Sequence, residues 1–404
     1  MSPGWIDLAW PDRDGRFRFA SVPSDTLERS VRSIRVDPAS IGWPGIAGPL
    51  RVKPDPEGIP SPFDESREVR LCRLIGPDEL PSPACSRSIL DRALSRAANR
   101  QFEVIAAGEL ECYLLDPQSG LPVYESIENY GIVSGAPYER VMRVVRGFRE
   151  FGVPVMATNP EYGGGQFEIN LHHDAGMAAA DATALLRCFV AVAAQKEGLK
   201  ASFVSKPDPE FSGSGLHVHQ SLWQRDANVF WSGTGLSKPG SQYLAGLLDG
   251  IAELAPLGSP NSISYTRRTD GSFCPINASW GGDNRTLAVR VLAEDQKATR
   301  IEQRDAAADS NPYLVLAGQL HAGMRGIESE LEPPAETTGN AYEDDSVPPL
   351  PRTLPDAFDL FSSSDLAGEV LGQEAHRVFC AELESKVVDF LAGHQAPPDP
   401  DGGW

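Results

Sequence analysis

Charged residues recur in this chain at every second position inside segments that otherwise look like buried strands. Glu109 and Glu111 stand in GELECYLL, His217 and His219 in GLHVHQSL, and Arg300, Glu302 and Arg304 in TRIEQR. Residues two apart on a strand point to one face. Any single strand of this kind is most simply the solvated outer strand of an antiparallel sheet. Several together, flanked by glycine-rich EYGGGQFE and SGSGLHVH and by the tight GGDNRTLAVR, instead imply backbone brought close to a ligand. If the faces converge they form one charged interior, and glutamates gathered there are too costly to bury without counter-charge. Arginines and bound divalent cations would supply it. A carboxylate-rich set that includes one imidazole suits hard Mg²⁺ or Mn²⁺ better than zinc, since no thiolate is placed to help.

These residues need a frame. Up to about residue 82, short apolar segments such as WIDLAW and FRFASV alternate with turn-rich stretches and end in the strand-like VRLCRLI, which predicts a small β-rich domain. Helical spacing of Ile89, Leu90, Ala93, Leu94 and Ala97 behind a serine-rich cap then marks a boundary, giving domains at 1–82 and 83–404. The larger part interleaves strands (FEVIAAGELECYLL, GQFEINL, LHVHQSL, TLAVRVL, TRIEQR) with helices, notably AADATALLRCFVAVAAQKE stopped by Gly198. This reads as an α+β chain. Residues 332–356 are polar and proline-rich and predict an exposed loop before the last helices.

Composition narrows the function classes. At 404 residues and 41% hydrophobic positions, the chain can bury a large core. A formal net charge of −20 would repel phosphate backbones and anionic lipid, which argues against nucleic-acid or membrane partners. No apolar run reads as a membrane span and the start lacks a signal-like pattern, so the expected compartment is the cytoplasm. The six cysteines lack ligand spacing and are expected to be reduced. An acidic surface still permits a nucleotide, which needs only a local cluster of arginines, lysines and metal ions.

Six segments, in order over about residues 105–315, resemble the motifs of the glutamine synthetase superfamily. GELECYLL resembles its paired-glutamate strand, NPEYGGGQFEIN its glutamate-loop-GQxE segment and KPDPEFSGSGLHVHQSL its KP-GSG-HxH signature. SPNSISYTRR, GGDNRTLAVRV and RIEQRDAAADSNPYL resemble its NSYKR, NR-x₄-R and RxExR…NPYL segments. The resemblance implies a β-grasp-like N-terminal domain and a catalytic domain built on an antiparallel half-barrel flanked by helices. It also implies ATP, two or more Mg²⁺ or Mn²⁺ per site, and a homo-oligomer, a dodecamer of two stacked hexameric rings. Position by position it assigns Glu111, Glu161 and Glu168 to one metal and Glu109, His217 and Glu302 to a second. His219, Ser221, Arg285, Arg290, Lys297 and Arg300 match nucleotide contacts, and Arg267, Arg304, Ser212 and Gly213 match the amino-acid site. Arg285, Asp37, Glu161 and Phe273 match positions at the reacting groups, Asp37 reaching a neighbouring subunit's amine site.

The implied activity is ATP-dependent joining of the γ-carboxylate of glutamate, or a close analogue, to an amine through an acyl phosphate. The sequence departs from ammonia-using members at the flap, where Phe273 replaces a glutamate, and at Ser212, which replaces an asparagine. Gly48-Pro49 replaces a serine-aspartate in the loop after Asp37. Phe273 and Ser212 look like the branch that makes γ-glutamyl amides of polyamines, ethanolamine or other primary amines. Glutamine synthesis from ammonium is the alternative. A non-catalytic structural or sensing relative is a second alternative, whose mark would be eroded metal ligands; all six positions are intact.

Overall fold

A computed structural model describes residues 4–61, 64, 66–125, 131, 135–150 and 152–394. Near the N-terminus lie β1 (Trp5–Pro11), β2 (Phe17–Pro23), β3 (Arg51–Pro54), β4 (Ile59–Pro60) and β5 (Glu68–Ile75). They form one sheet in the order β2-β1-β5-β3, with β4 beside β5. β1 runs antiparallel to β2 and parallel to β5, and the helix Leu27–Ser33 lies in the connection between β2 and β3. This small mixed sheet is the β-grasp-like unit that the sequence predicts. Its core is continuous with that of the larger part, as where Trp43 meets Phe379 of the last helix at 6.1 Å between ring centres.

The second sheet contains β6 (Glu103–Leu115), β7 (Val155–Pro160), β8 (Gln166–Leu171), β9 (Asp174–Ala175) and β10 (Lys200–Ser202). It continues with β11 (Leu216–Gln224), β12 (Ala227–Asn228), β13 (Trp280–Gly281), β14 (Val289–Leu292) and β15 (Arg300–Gln303). The main path is β13-β14-β15-β11-β6-β8-β7, antiparallel except between β13 and β14. Sequence-distant strands are therefore neighbours, and β6 lies between β11 and β8 at the centre. Helices Ser86–Ala98, Gly176–Lys196, Lys238–Gly250 and Pro312–Glu328 pack with this sheet and with one another to form the main core. The chain is α+β.

Two local expectations are corrected and a third gains detail. Helix Ser86–Ala98 starts at Cys85 and no side chain caps it, although serines surround that start. Helix Gly176–Lys196 is, by length and composition alone, apolar enough to cross a membrane, with a mean hydropathy of 1.6. Its alanine-rich run serves the fold: 56% of that window is buried, and buried Arg187 donates to the carbonyl of Ala308 at 2.6 Å. Residues 332–356 are mostly exposed and irregular, the loop that their composition predicts, and they are tied down as a strap along 276–286. Thr337 N bonds to Trp280 O at 2.9 Å and Ala278 N to Pro348 O at 2.9 Å, while Thr337, Ala341 and Leu350 are buried. The prolines that suggested a loop leave the strap's carbonyls and remaining amides to pair with the neighbouring segment.

Candidate active site

Strand register brings the alternating charges together. Glu109 on β6 faces His217 on β11, and Glu111 on β6 faces Glu168 on β8. Glu302 on β15 faces His219 on one side and Arg290 on the other. A shift of one residue in any strand would send its charges to the opposite face, so the apolar pattern of these strands also fixes the site.

At the centre, His217 Nδ1 lies 2.9 Å from Glu109 Oε1 and 3.7 Å from Glu302 Oε1, and its Nε2 lies 4.0 Å from Glu111 Oε1. His219 Nε2 lies 3.3 Å from Glu109 Oε2, and Arg300 Nε donates to His219 Nδ1 at 3.3 Å. Ligand atoms of Glu109, His219 and Glu302 all fall within 4.8 Å of one another. The resemblance assigns His217 to that metal and His219 to the nucleotide; the geometry places both imidazoles against the same carboxylate. Arg290 donates to Glu302 at 2.6 Å and also pairs with Asp283.

Beside this cluster opens a cavity of about 770 Å³. Glu111, Glu161, Glu168, His217, Ser212, Gly213, Arg267, Phe273, Arg285 and Arg304 all line it. Ser221 continues the β11 face behind them, buried, with its Oγ accepting from Trp223 Nε1 at 2.9 Å. Two predicted residues stand apart. Lys297 is exposed on a turn held by Asp295, and Asp37 is exposed and accepts from Ala39 N at 3.1 Å; neither lines the cavity.

Sequence reasoning missed Tyr162, Gln166, Lys206, Glu210 and Phe211, which line the same cavity. Gln166 is the clearest omission. Its amide donates to Glu111 at 3.2 Å and to the carbonyl of Gly213 at 2.9 Å, so it ties the glutamate strand to the glycine loop. Its position two residues before Glu168 on one strand face was the available signal. The loop's glycine is required: a Cβ on Gly213 would sit 2.6 Å from Cγ of Arg267.

The electrostatics call for cations. Burial, then repulsion from Glu111 and Glu109, pushes the Glu161 carboxyl up to about 7. Burial and then Glu109 push Glu168 up to about 10. Burial opposes ionisation of Glu109 as well, but hydrogen bonds from His217 and His219 outweigh it and hold this carboxyl well below its usual range. Glu302 is fully buried, yet its Oε1 accepts no hydrogen bond, even with Arg304 Nε at 3.2 Å. A buried carboxylate oxygen without a donor, inside a surplus of carboxylates, fits hard divalent cations. On the cavity wall, buried Arg267 uses Nη2 on the carbonyl of Ala306 at 3.1 Å and leaves Nη1 without a partner. That donor suits a substrate carboxylate.

A family model described as the glutamine synthetase catalytic domain matches residues 83–392. The chain belongs to the glutamine synthetase family. Within that family it is 33% identical over 330 residues to a glutamate–isopropylamine ligase of Pseudomonas sp, covering 78% of this chain and 72% of that protein. It is 31% identical over 408 residues to a glutamine synthetase of Clostridium saccharobutylicum, covering 96% and 92% of the two chains. Among solved structures, one titled as a GmaS/ADP complex superposes with a TM-score of 0.87 at 24% identity, covering 97% of this chain and 94% of that one, a likeness of fold. As a member of the glutamine synthetase family the chain is a carboxylate–amine ligase, and membership implies use of ATP and a divalent metal.

Proposed function

We propose that this ligase joins the γ-carboxylate of glutamate, or a close analogue, to a primary amine larger than ammonia, releasing ADP and phosphate. The carrying observation is the composition of one cavity, lined by carboxylates, arginines and Phe273, at whose position the resemblance puts a glutamate in ammonia-using members. A carboxylate is a poor electrophile, and moving the γ-phosphoryl group of ATP onto it makes an acyl phosphate that an amine can attack. One divalent metal held by Glu111, Glu161 and Glu168 and a second held by Glu109, Glu302 and His217, with His219 close enough to join them, would neutralise charge on the phosphoryl oxygens. Arg267 and Arg304 hold the amino-acid carboxylates, beside Ser212 and Gly213. Arg285 reaches the transferring phosphoryl group, and Arg290, Arg300, His219 and Ser221 hold the rest of the nucleotide, with Lys297 left apart on its exposed turn. Glu161 and the flap with Phe273 flank the attacking amine.

The second step requires a deprotonated amine and a site shut to water, since the acyl phosphate otherwise hydrolyses. An ammonium ion is held best by charge and hydrogen bonds, and an exposed aromatic ring offers it a cation–π attraction of only about 0.5–1 kcal/mol, less than a carboxylate supplies. Against a ring, two or three methylenes of an alkylamine gain about 0.8 kcal/mol each, roughly one to two powers of ten in preference. Asp37 stands away from the cavity of its own chain, which supports a homo-oligomer in which it serves a neighbour's amine site. We infer a dodecamer of two hexameric rings, in the cytoplasm.

The test is Glu302→Ala. Phosphate release that depends on both glutamate and amine should fall by at least about a thousandfold, as expected when metal and phosphoryl charge are no longer held, while circular dichroism stays native. Near-normal turnover in Mg²⁺ would overturn the metal assignment.

A further inference from the structure

Two aromatic rings from different loops stack on the cavity wall. Phe273, on the flap, and Tyr162, next to Glu161, lie 5.4 Å apart between ring centres with planes at 15°. Both line the cavity, and both remain substantially exposed, at 42% and 45%. The pair is held in place at a cost. Phe273 has a φ of 59°, the left-handed region that side chains other than glycine's rarely adopt. The flap around it is fastened: Ser272 Oγ lies 2.7 Å from Arg267 O and 2.6 Å from Thr269 O, and Tyr342 OH donates to Cys274 O at 3.2 Å. Strain of this kind persists where surrounding structure over-determines it, and it marks ligand clamps.

The charges around the pair narrow what it meets. Four carboxylates line the cavity, and three of them, Glu111, Glu161 and Glu168, belong to the proposed metal set. That leaves Glu210, and Lys206 on the same loop offsets it. A second ammonium group at the far end of the amine would therefore meet no net negative charge. An uncharged tail meets the one aromatic surface that the two rings, stacked on each other, still leave exposed.

We propose that Tyr162 is a specificity-determining residue, forming with Phe273 an aromatic wall that selects primary amines with an uncharged alkyl or aryl body. This rests on the ligase reading. Tyr162 does not touch the reacting carboxyl in this account; it sorts amines by the body they carry.

The experiment measures kcat/KM for hydroxylamine, butylamine and 1,4-diaminobutane, with glutamate and ATP, in the wild type, Tyr162→Ala and Tyr162→Phe. Hydroxylamine reports the ligase chemistry without a carbon body. The wild type should prefer butylamine to the diamine. In Tyr162→Ala the ratio of butylamine to hydroxylamine efficiency should fall about tenfold, mainly through KM for butylamine, because the buried methylenes lose one wall. Tyr162→Phe, which keeps the ring, should restore the ratio. A ratio that stays within about twofold in Tyr162→Ala would overturn the proposed wall, since that is below the loss of even one buried methylene. So would a wild type that prefers the diamine and loses that preference in Glu210→Gln. If the wild type makes no γ-glutamyl hydroxamate or amide at all, the ligase reading itself fails, and the aromatic wall's role with it.

Discussion

Removing divalent metal should make this protein lose stability as pH rises, a direction opposite to that of an ordinary salt-bridged carboxylate. Glu168, pushed up to about 10 by burial and then by Glu109, keeps its proton in the fold, whereas its ordinary value is 4.5. Above the unfolded value the unfolded chain binds fewer protons than the folded one, so stability falls with each pH unit until the folded value is passed. One such group costs at most about 1.4 kcal/mol per pH unit, or roughly 3 kcal/mol between about pH 6 and 8. Glu161, raised to about 7 by burial and then by Glu111 and Glu109, adds to the loss over the lower part of this range. Denaturant unfolding of chelator-treated protein at the two pH values, at matched protein concentration, measures the effect in the wild type and in Glu168→Gln. The wild type should lose up to about 3 kcal/mol more than the variant, and Mn²⁺ should recover more stability at the higher pH, where displacing the proton that Glu168 otherwise keeps costs less. Equal pH dependence in the two proteins, or a metal-free wild type that gains stability as pH rises, would show that Glu168 does not keep its proton in the metal-free fold.

Other outcomes follow from single contacts. Gly213→Ala places a Cβ against Arg267 Cγ, so KM for glutamate should rise by at least about tenfold, the equivalent of one displaced charge-assisted contact. Thermal stability should change little, because Gly213 lies on a half-exposed loop; an unchanged KM would remove Arg267 from the amino-acid site. Asp37→Ala subunits mixed with Glu302→Ala subunits should recover activity that neither has alone, measured by phosphate release after co-assembly. A fully active wild-type monomer would contradict the shared site.

The charged strands were legible because a strand's two-residue period is strict: Glu109, Glu111, His217 and Glu302 could be placed on common faces before their partners were known. The register that pairs Glu109 with His217 and Glu302 with His219 depends on strand order, which local pattern does not carry. For the same reason the sharing of Glu109 between both histidines was not foreseen. Tyr162 lay unnoticed because an aromatic next to a proposed ligand looks like ordinary packing, and only the stack with Phe273, more than a hundred residues on, shows where its ring points. The loop at 332–356 was legible as exposed and irregular, but its anchoring was not, because a polar, proline-rich composition reports missing amides and says nothing of the backbone groups across from them. Buried Arg87, paired with Asp55 at 2.7 Å and Asp181 at 2.8 Å, joins the small sheet's region to the helices and gave no local signal at all.

The measurement that bears most directly on the central claim is kcat/KM for ammonium against short primary amines, with glutamate and ATP, in the wild type and in Phe273→Glu, scored by phosphate and γ-glutamyl amide together. Phosphate and amide should form in equal amounts, with a primary amine of two or three methylenes exceeding ammonium by roughly ten- to a hundredfold in the wild type. Phe273→Glu should shift that preference toward ammonium. Ammonium as the best substrate of the wild type, or phosphate released without dependence on any amine, would contradict the account.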